Sequence, residues 1–256
     1  MKQILTKIIL TGSLLFSPFV FADTAIEILK RSDKIRNPDT PFSTQITLTE
    51  YNKAKEINRL ALKVFSKKQK NKGQFRSLVQ FLKPQRDAGK LMLQNGNEIW
   101  FYDPAAKNSI RMSAQQRLMG QASNGDVMTS NFVLDYQAKL IGEEVIKDST
   151  RKPHNSYHLH LIAKTKAVTY ASADYWVDKT TNYPIKIKFY SSSKRLMKIA
   201  YYAAFQNQLG AVRPTQVLII DGVDTKKVTR MQMHNYRAEE IPEAWFQRSF
   251  LPRFKG

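Results

Sequence analysis

The strongest constraint on the fold is a succession of short strand-like segments that fills most of the chain. Eleven such segments run from FSTQITLTEY at residues 42–51 to VTRMQMHNYR at residues 228–237. Each is rich in β-branched and aromatic residues and is bounded by turn-forming residues. This number exceeds what a flat open sheet holds without curling. The sequence therefore predicts a mainly β protein with a few helices (α+β), built on about eleven strands in a curled antiparallel sheet.

The hairpin that turns at Asn95-Gly96 indicates how this sheet is covered. Its two strands are apolar on both faces, so each face needs a cover. One face carries Met92, Ile99 and Phe101, and the opposite face carries Leu91, Leu93, Trp100 and Tyr102. Alternation defines these two sets but leaves open which of them faces the interior. We take the Met92 face as the first choice.

The first 22 residues have the features of a secretory signal peptide. Two lysines precede an apolar run from Ile8 to Val20, and small residues stand at the expected positions before a cleavage site after Ala22. An uncleaved anchor is the alternative, but the run is short for a membrane span. The chain has no Cys, so we expect neither a lipid anchor at this site nor disulfides. The expected product is a periplasmic protein of one domain, residues 23–256.

An amphipathic helix is predicted over residues 24–36. Thr24 and Glu27 have the spacing of a capping box, and the apolar residues that follow form one stripe. Asn37-Pro38 ends the helix. A helix with one apolar face is suited to cover a sheet.

A second helical region is predicted over residues 111–132, RMSAQQRLMGQASNGDVMTSNF, which we call the insertion. Ser113 and Gln116 have capping-box spacing, and Gly120 is placed to end a short helix. Asp126 is placed to cap a second one. Helices this short are unstable alone, so the insertion should dock on an apolar surface. It is either a plug that fills one end of a barrel formed by the curled sheet or a lid over an apolar ligand.

The chain is strongly basic, with 41 Lys and Arg against 21 Asp and Glu. Without Lys2 and Lys7 the basic residues fall to 39, and the formal charge of the exported chain would be +18. Export makes nucleic acid an improbable partner, so we expect transient contact with an anionic membrane surface and no nucleic acid. Four lysines in SKKQKNKG, residues 66–73, are interpreted as a solvated hairpin tip.

No motif in the chain indicates catalysis or a bound cofactor. There is no Cys nucleophile, no G-x-S-x-G motif and no glycine-rich phosphate loop. His158 and His160 project from the same face of a strand, but a metal site needs further convergent ligands. We therefore expect no enzyme activity, no metal and no cofactor.

Three features from Trp100 to Phe132 occur together. The first is the strand end Trp100-Phe101-Tyr102-Asp103-Pro104, and the second is an Arg-x-Ser sequence at residues 111–113. The third is the loop from Gly120 to Asp126, which has the pattern G-x-A-x-x-G-D. With the signal peptide, the N-terminal helix and the strands, this region resembles the outer-membrane lipoprotein-sorting family of LolA-like periplasmic carriers. The resemblance covers essentially the whole exported chain. It implies an unclosed, strongly curved antiparallel β-barrel with a helical lid over an apolar cavity.

The resemblance also implies a function, which is to bind the acyl chains of a lipoprotein or lipid and move them between envelope membranes. The expected cavity and lid residues are Met92, Ile99, Phe101, Met112, Leu118, Met119, Met128 and Phe132. Arg76 and Arg111 are the two candidates for a polar contact with the cargo. The implied partners are an inner-membrane exporter of the resistance-nodulation-division type and an outer-membrane acceptor.

Three alternatives remain open. An RseB-like sensor would use the same pocket to report lipid or lipoprotein to a partner. A periplasmic enzyme acting on lipids or glycans would need polar groups that converge in the cavity. A purely structural envelope protein would fill the barrel with its own side chains.

Overall fold

The computed structural model describes residues 24–70 and 73–256, and β-strands dominate them. The described strands are β1 (Phe42–Asn52), β2 (Lys55–Lys68), β3 (Phe75–Lys83), β4 (Leu91–Asn95), β5 (Glu98–Asp103), β6 (Asn108–Met112), β7 (Arg117–Met119), β8 (Ala122–Ser123), β9 (Tyr136–Lys147), β10 (Pro153–Ala163), β11 (Ser172–Asp178), β12 (Pro184–Tyr190), β13 (Leu196–Gln208), β14 (Ala211–Asp221) and β15 (Lys227–Ala238). The described helices are α1 (Ala25–Arg36), α2 (Phe132–Asp135) and 3₁₀ helices at Gln85–Asp87, Asn124–Asp126, Glu243–Phe246 and Arg248–Arg253. The predicted signal peptide, residues 1–22, and Lys72 lie outside the described residues. A mainly β protein with few helices is confirmed.

Within the described ranges, thirteen strands form one antiparallel sheet in the order β6-β5-β4-β3-β2-β1-β15-β14-β13-β12-β11-β10-β9. Strands β7 and β8 pair separately in a small hairpin. The predicted number of about eleven strands is therefore too low. The sheet has β6 and β9 as its edges in the part of the chain that is described, so it is open and does not form a closed barrel.

One hydrogen bond shows how strongly this open sheet curves. Gln74 immediately precedes β3 and Asp135 immediately precedes β9, and Gln74 Nε2 donates to Asp135 Oδ1 at 2.7 Å. Nine steps of the strand order separate β3 from β9. On a flat sheet with about 4.8 Å between neighbouring strands, they would lie about 43 Å apart. The sheet must therefore bend until its two sides meet near α2.

Helix α1 covers part of the inner face of this curve. Ile28 and Leu29 are fully buried in the main apolar cluster, which includes side chains from α1, the insertion and most strands of the sheet. Ser32 Oγ lies 2.6 Å from the Tyr175 hydroxyl of β11 in a buried hydrogen bond. Apolar burial and this bond attach the helix to the sheet.

The start of α1 differs from the prediction in one detail. The helix begins at Ala25 with Thr24 as its N-cap, but the Thr24 side chain makes no capping hydrogen bond. The predicted capping box of Thr24 and Glu27 is therefore wrong. The Thr24 carbonyl accepts the backbone N–H groups of Glu27 and Ile28 instead.

The turn of the β4–β5 hairpin lies one residue later than predicted, which shifts the pairing of the two strands by two residues. Asn95 pairs with Glu98, so the turn is formed by Gly96 and Asn97, and Gly96 has a φ of +62°. Because side chains alternate with a period of two, this shift leaves the predicted faces unchanged. The Met92 face belongs to the main apolar cluster, and the Leu91 face belongs to a second one.

The C-terminal 3₁₀ helices cover that second face. Phe246 and Leu251 are buried there against β2–β5. Lys67 Nζ donates to the Ile241 carbonyl at 2.9 Å and pairs with Glu243 at 2.7 Å. The lysine-rich segment at residues 66–73 is thus more than a solvated tip, because Lys67, near the end of β2, helps attach the C-terminal segment.

The insertion is a hairpin and not the predicted helix. Ser113 Oγ accepts the N–H of Gln115 in a local turn, which replaces the predicted cap at Gln116. Gly120, with a φ of +54°, lies in the turn between β7 and β8. The predicted short helix and its end at Gly120 are therefore wrong.

The second half of the insertion contains a single 3₁₀ turn. Ser123 is its N-cap, and the Asp126 carboxylate accepts the Ser123 N–H at 2.7 Å in a capping box. Asp126 is thus the third residue of the turn, and the prediction that it begins a helix is wrong. Helix α2 begins only at Phe132, where Asn131 is the N-cap.

Candidate functional site

A cavity of about 150 Å³ lies between the inner face of the sheet and the insertion. Its walls combine aliphatic, methionine and aromatic side chains with a few charged ones. Those from the sheet include Phe42, Ile46, Val64, Phe189, Ala200, Tyr202, Val217, Ile219, Met231, Met233 and Tyr236. The insertion contributes Gly125 to Ser130 and Phe132. Such a lining suits an apolar ligand that makes few directional contacts.

Buried polar contacts hold residues 121–126 of the insertion on the sheet. Lys198 of β13 pairs with Asp126 at 2.7 Å, and both side chains are almost fully buried. The Tyr170 hydroxyl donates to Asp126 Oδ1 at 2.7 Å. The Thr229 hydroxyl of β15 accepts the Gln121 N–H at 2.8 Å. Three sheet-side groups therefore meet the insertion within one buried cluster.

Helix α1 and its C-cap Asn37 hold the end of the insertion, at Ser130, and the start of α2. Asn37 Nδ2 donates to the Ser130 carbonyl at 2.8 Å, and the Asp33 carboxylate accepts the Val133 N–H at 3.0 Å. The Arg36 guanidinium lies 3.5 Å from the centre of the Phe132 ring. Arg36 also pairs with Asp33 at 2.6 Å, so this charge is compensated within the helix.

A second cavity of about 460 Å³ adjoins the first. The two share Gly125, Met128, Ser130, Asp135, Val168 and Thr169 as lining residues. The second is more polar and includes Arg111, Lys164 and Lys166. It lies where the two sides of the curved sheet approach each other, so the insertion and α2 separate the inner cavity from this basic outer one.

Burial shifts the acidity of several groups around the inner cavity. It raises the pKa of Asp135 to about 6, although the hydrogen bond from Gln74 lowers it. Burial, with the neighbouring Asp126 carboxylate, raises the pKa of the Tyr170 hydroxyl well above its usual value. Burial likewise raises the pKa of Tyr202. These tyrosines are therefore neutral hydrogen-bonding groups at any physiological pH.

The eight predicted cavity and lid residues lie in the lining of the inner cavity, in the main apolar cluster and in the lining of the outer cavity. Met128 and Phe132 line the inner cavity. Met92, Ile99 and Met119 are buried in the main apolar cluster, with Phe101, Met112 and Leu118 packed against it. Ile99, Met112 and Met128 also line the outer cavity. The structure thus brings all eight to one apolar cluster, and two of them reach the inner cavity.

Neither of the two predicted polar contacts lines the inner cavity. Arg76 pairs with Glu243 at 2.6 Å and lies 4.6 Å from the centre of the Phe246 ring, among the residues that attach the C-terminal segment. Arg111 is largely exposed, pairs with Glu98 at 3.4 Å and lines only the outer cavity.

Sequence reasoning did not identify Lys198, Tyr170 or Arg36 as site residues. In RLMKIAYYAAF both faces of β13 are largely apolar, so alternation does not show that Lys198 faces inward. Its partner Asp126 is 72 positions away along the chain. Only the folded arrangement brings the pair together.

The histidines of β10 lie in a separate polar cluster outside the cavity lining. His158 stacks on Trp176 with ring centres 4.5 Å apart, and His160 Nδ1 lies 2.8 Å from Asp174 Oδ1. Within the described ranges, no group of three or more His, Cys, Asp or Glu side chains is placed to hold a metal ion. Nor does any helix in this part of the chain have the length and hydropathy needed to cross a bilayer.

Comparison with known proteins identifies the family. A family model described as "Uncharacterized protein" matches residues 73–253. Comparison with curated proteins gives no match. Among solved structures, a LolA superfamily protein from Nitrosomonas europaea is 30% identical, with a TM-score of 0.80 over 90% of this chain and 100% of that one.

Two further structures share the fold at lower identity. A DUF1329 family protein from Desulfovibrio piger is 22% identical, with a TM-score of 0.74 over 89% of this chain and 97% of that one. A putative outer membrane lipoprotein-sorting protein domain from Vibrio parahaemolyticus is 20% identical, with a TM-score of 0.73 over 90% and 98%. The extent and identity of the match to the Nitrosomonas europaea protein show that this chain belongs to the LolA superfamily.

Proposed function

We propose that the protein is a periplasmic carrier that binds the acyl chains of a lipid or lipoprotein and moves them between envelope membranes. The observation that carries the proposal is the inner cavity, which is apolar, lies within the curve of the sheet and is covered by the insertion. The lipoprotein-sorting name of the Vibrio parahaemolyticus relative is consistent with it. In this proposal the protein binds its cargo without transforming it.

The energetics of lipid transfer favour a carrier of this kind. Exposing an acyl chain to water costs about 0.8 kcal/mol per CH₂, so a two-chain lipid does not cross an aqueous compartment unaided. An apolar cavity that replaces the membrane interior offsets this cost. Methionines such as Met128, Met231 and Met233 adapt their shape to flexible chains.

The size of the cavity indicates that the described conformation is the closed one. A cavity of about 150 Å³ resembles in volume one that binds a single benzene molecule. Acyl chains need more room, so loading requires part of the cover to move. Residues 113–131 of the insertion are the segment we expect to move. In the described part of the chain, side-chain hydrogen bonds attach them to the sheet, and their strands β7 and β8 pair only with each other.

The proposal extends to partners. The basic outer cavity and the overall positive charge favour transient contact with anionic membrane surfaces. A donor and an acceptor are required for directional transfer. An inner-membrane exporter of the resistance-nodulation-division type and an outer-membrane acceptor are the partners we propose for these roles.

Lipid extraction tests the proposal directly. The protein is purified from the periplasm, and co-purifying lipids are identified by native mass spectrometry. It is then incubated with vesicles that contain labelled phospholipid or labelled lipoprotein. We expect bound lipid after purification and transfer of label to the protein. A protein that is free of lipid and extracts neither label would contradict the proposal.

A pair of variants on one strand locates the binding site. Ala200 lines the inner cavity, whereas Ala203 lies on the same strand outside the lining. Ala200→Met should fill part of the cavity and reduce uptake of label several-fold. Ala203→Met is the matched control and should extract label as the unmodified protein does. Equal uptake by both variants would place the cargo elsewhere.

A further inference from the structure

The ammonium group of Lys198 uses all its hydrogen-bonding capacity on the insertion. An ammonium has three N–H donors. Those of Lys198 reach Asp126 Oδ2 at 2.7 Å, Ser123 Oγ at 3.2 Å and the carbonyl oxygen of Gln121. All three acceptors lie within residues 121–126. The side chain is only 6% exposed, so solvent does not replace any of them.

Two other buried groups on the sheet side also bond the insertion. Tyr170, which precedes β11, donates its hydroxyl to Asp126, and its ring stacks on Phe189 with centres 4.1 Å apart. Thr229 of β15 accepts the backbone N–H of Gln121. Tyr170 and Thr229 are anchored to the sheet and would remain in place if the insertion moved.

Displacement of the insertion therefore has a specific electrostatic consequence. Lys198 would lose its carboxylate, hydroxyl and carbonyl partners together, and would remain as an unpaired cation in the wall of an apolar cavity. A buried charge without a partner is strongly unfavourable. An acyl chain cannot compensate for this loss, because it offers no acceptor. A negatively charged group that enters with the chain can compensate.

We propose that Lys198, assisted by the Tyr170 hydroxyl, is the binding site for the anionic head group of an amphiphilic cargo, and that Asp126 occupies this site while the insertion is closed. This inference rests on the proposed carrier function and adds the chemical class of the cargo. The head group is a phosphate or carboxylate that is attached to the acyl chains and leaves the lipid with a net negative charge. A zwitterionic head group such as phosphocholine would bring its own cation next to Lys198. Cargo binding and release of the insertion are coupled, because both compete for one ammonium group.

A comparison of two labelled lipids tests this inference. Wild-type protein is mixed with phosphatidylcholine vesicles that contain a small fraction of labelled phosphatidylglycerol or of labelled phosphatidylcholine with the same chains. The vesicle surface is nearly neutral in both cases, so general attraction to anionic membranes does not contribute. In phosphatidylcholine the choline trimethylammonium offsets the phosphate charge and would repel the Lys198 ammonium group in a weakly screened site. This repulsion predicts a preference of roughly tenfold or more for phosphatidylglycerol.

Variants assign that preference to the proposed group. Lys198→Met should take up the two labelled lipids in equal amounts. Lys139→Met removes the same charge from an exposed position on β9 and should retain the preference. If Lys198→Met does not fold, the double variant with Asp126→Asn takes its place, since it leaves no unpaired buried charge. Retention of the preference by either Lys198 variant would overturn the inference.

Asp126→Asn should have the opposite effect, which is to strengthen the binding of an anionic head group. It leaves the ammonium group without its carboxylate, so a single-chain lysophosphatidylglycerol should raise the melting temperature of this variant more than that of wild type. Lysophosphatidylcholine should not. Inorganic phosphate should have no comparable effect, because it has no chain to enter the cavity. An equal rise with phosphate would indicate a general anion site and would overturn the proposal of a lipid head group.

The outcomes also separate this inference from the carrier function. Equal uptake of both labelled lipids by wild type would overturn the head-group site and leave the carrier function standing. Uptake of neither lipid, together with failure to extract labelled lipoprotein, would overturn both.

Discussion

At the scale of single residues, the carboxyl group of Asp135 is a titratable group at the contact between the two sides of the sheet. It immediately precedes the edge strand β9 and bonds Gln74 beside β3, where the two sides of the sheet meet. Burial raises the pKa of this carboxyl from 3.8 to about 6. The folded protein thus holds a proton on Asp135 between about pH 4 and 6, where the unfolded chain releases it.

The pKa of Asp135 predicts the sign of a pH effect on stability. Because the folded state binds the proton more tightly, stability should rise as pH falls from about 6 to about 4, by up to about 3 kcal/mol. Asp135→Asn should remove this rise while keeping an acceptor for Gln74. Urea unfolding of both proteins across this pH range measures the difference. Glu98→Gln, an exposed control, should follow wild type, and an unchanged profile for Asp135→Asn would contradict the assignment.

Because Gly125 has no side chain, the insertion can pack closely against Thr169. A Cβ at this position would lie 2.1 Å from Thr169 Oγ1 and 3.0 Å from Thr169 Cβ, so a side-chain rotation alone cannot make room. Gly125→Ala should lift the insertion and cost about 1–3 kcal/mol. Hydrogen exchange of residues 113–128 should become faster. Gly142→Ala on β9, where a Cβ meets nothing within 4 Å, is the control and should leave exchange of the insertion unchanged.

At the scale of elements, helix α1 depends on a cation from the sheet. Arg213 of β14 donates to the carbonyl oxygens of Lys34 and Ile35 at 2.7 and 3.0 Å. Carbonyls in the last turn of a helix have no partner within the helix, so a buried guanidinium is a suitable substitute. Since α1 in turn holds Ser130 and Val133, Arg213 supports the insertion indirectly.

Arg213→Met should therefore destabilise the protein by about 3 kcal/mol, because it leaves helix carbonyls unpaired. The loss should appear in urea unfolding and as faster hydrogen exchange over residues 25–36. Arg59→Met is the matched control. Arg59 is 58% exposed in an ion pair with Glu56, and its replacement should leave stability nearly unchanged, because exposed ion pairs contribute little. Similar losses for both variants would show that the contact to α1 has no special role.

The accuracy of sequence prediction also varied by element. Strands buried on at least one face were predicted well. In YPIKIKFY, Ile185, Ile187 and Phe189 are buried as their alternation predicts. The strands that were missed in the large sheet are β6 and β9, its two described edges, whose side chains are mostly exposed. An edge strand has little apolar pattern, so composition does not reveal it.

The insertion was mispredicted for a different reason. Capping-box spacing in SAQQ is a local signal, and the residues that follow form a hairpin because long-range contacts decide their conformation. The Thr229 hydroxyl beside Gln121 and the Lys198 ammonium beside Asp126 come from β15 and β13. The sequence correctly indicated that this segment docks on an apolar surface. It could not indicate the buried polar groups that receive it.

At the scale of the whole molecule, the buried charge of Lys198 and the charges at the surface should respond differently to salt. The curved sheet and the insertion enclose the apolar cavity, where Lys198 is paired and shielded from salt. The formal charge is +20. Most basic side chains of the described residues are at least partly exposed, and these interact with solvent ions. The Debye length shortens from about 10 Å at 0.1 M salt to about 3 Å at 1 M, so only the surface interactions should weaken strongly with salt.

This separation predicts two different salt dependences. Association with vesicles rich in phosphatidylglycerol, measured by co-sedimentation, should fall steeply as salt rises, because it depends on many exposed lysines and arginines. The preference for labelled phosphatidylglycerol over labelled phosphatidylcholine, measured in nearly neutral vesicles, should change little, because the head group would bind in a buried site. If both quantities fell together, the preference would arise at the surface, and Lys198 would have no part in choosing the cargo.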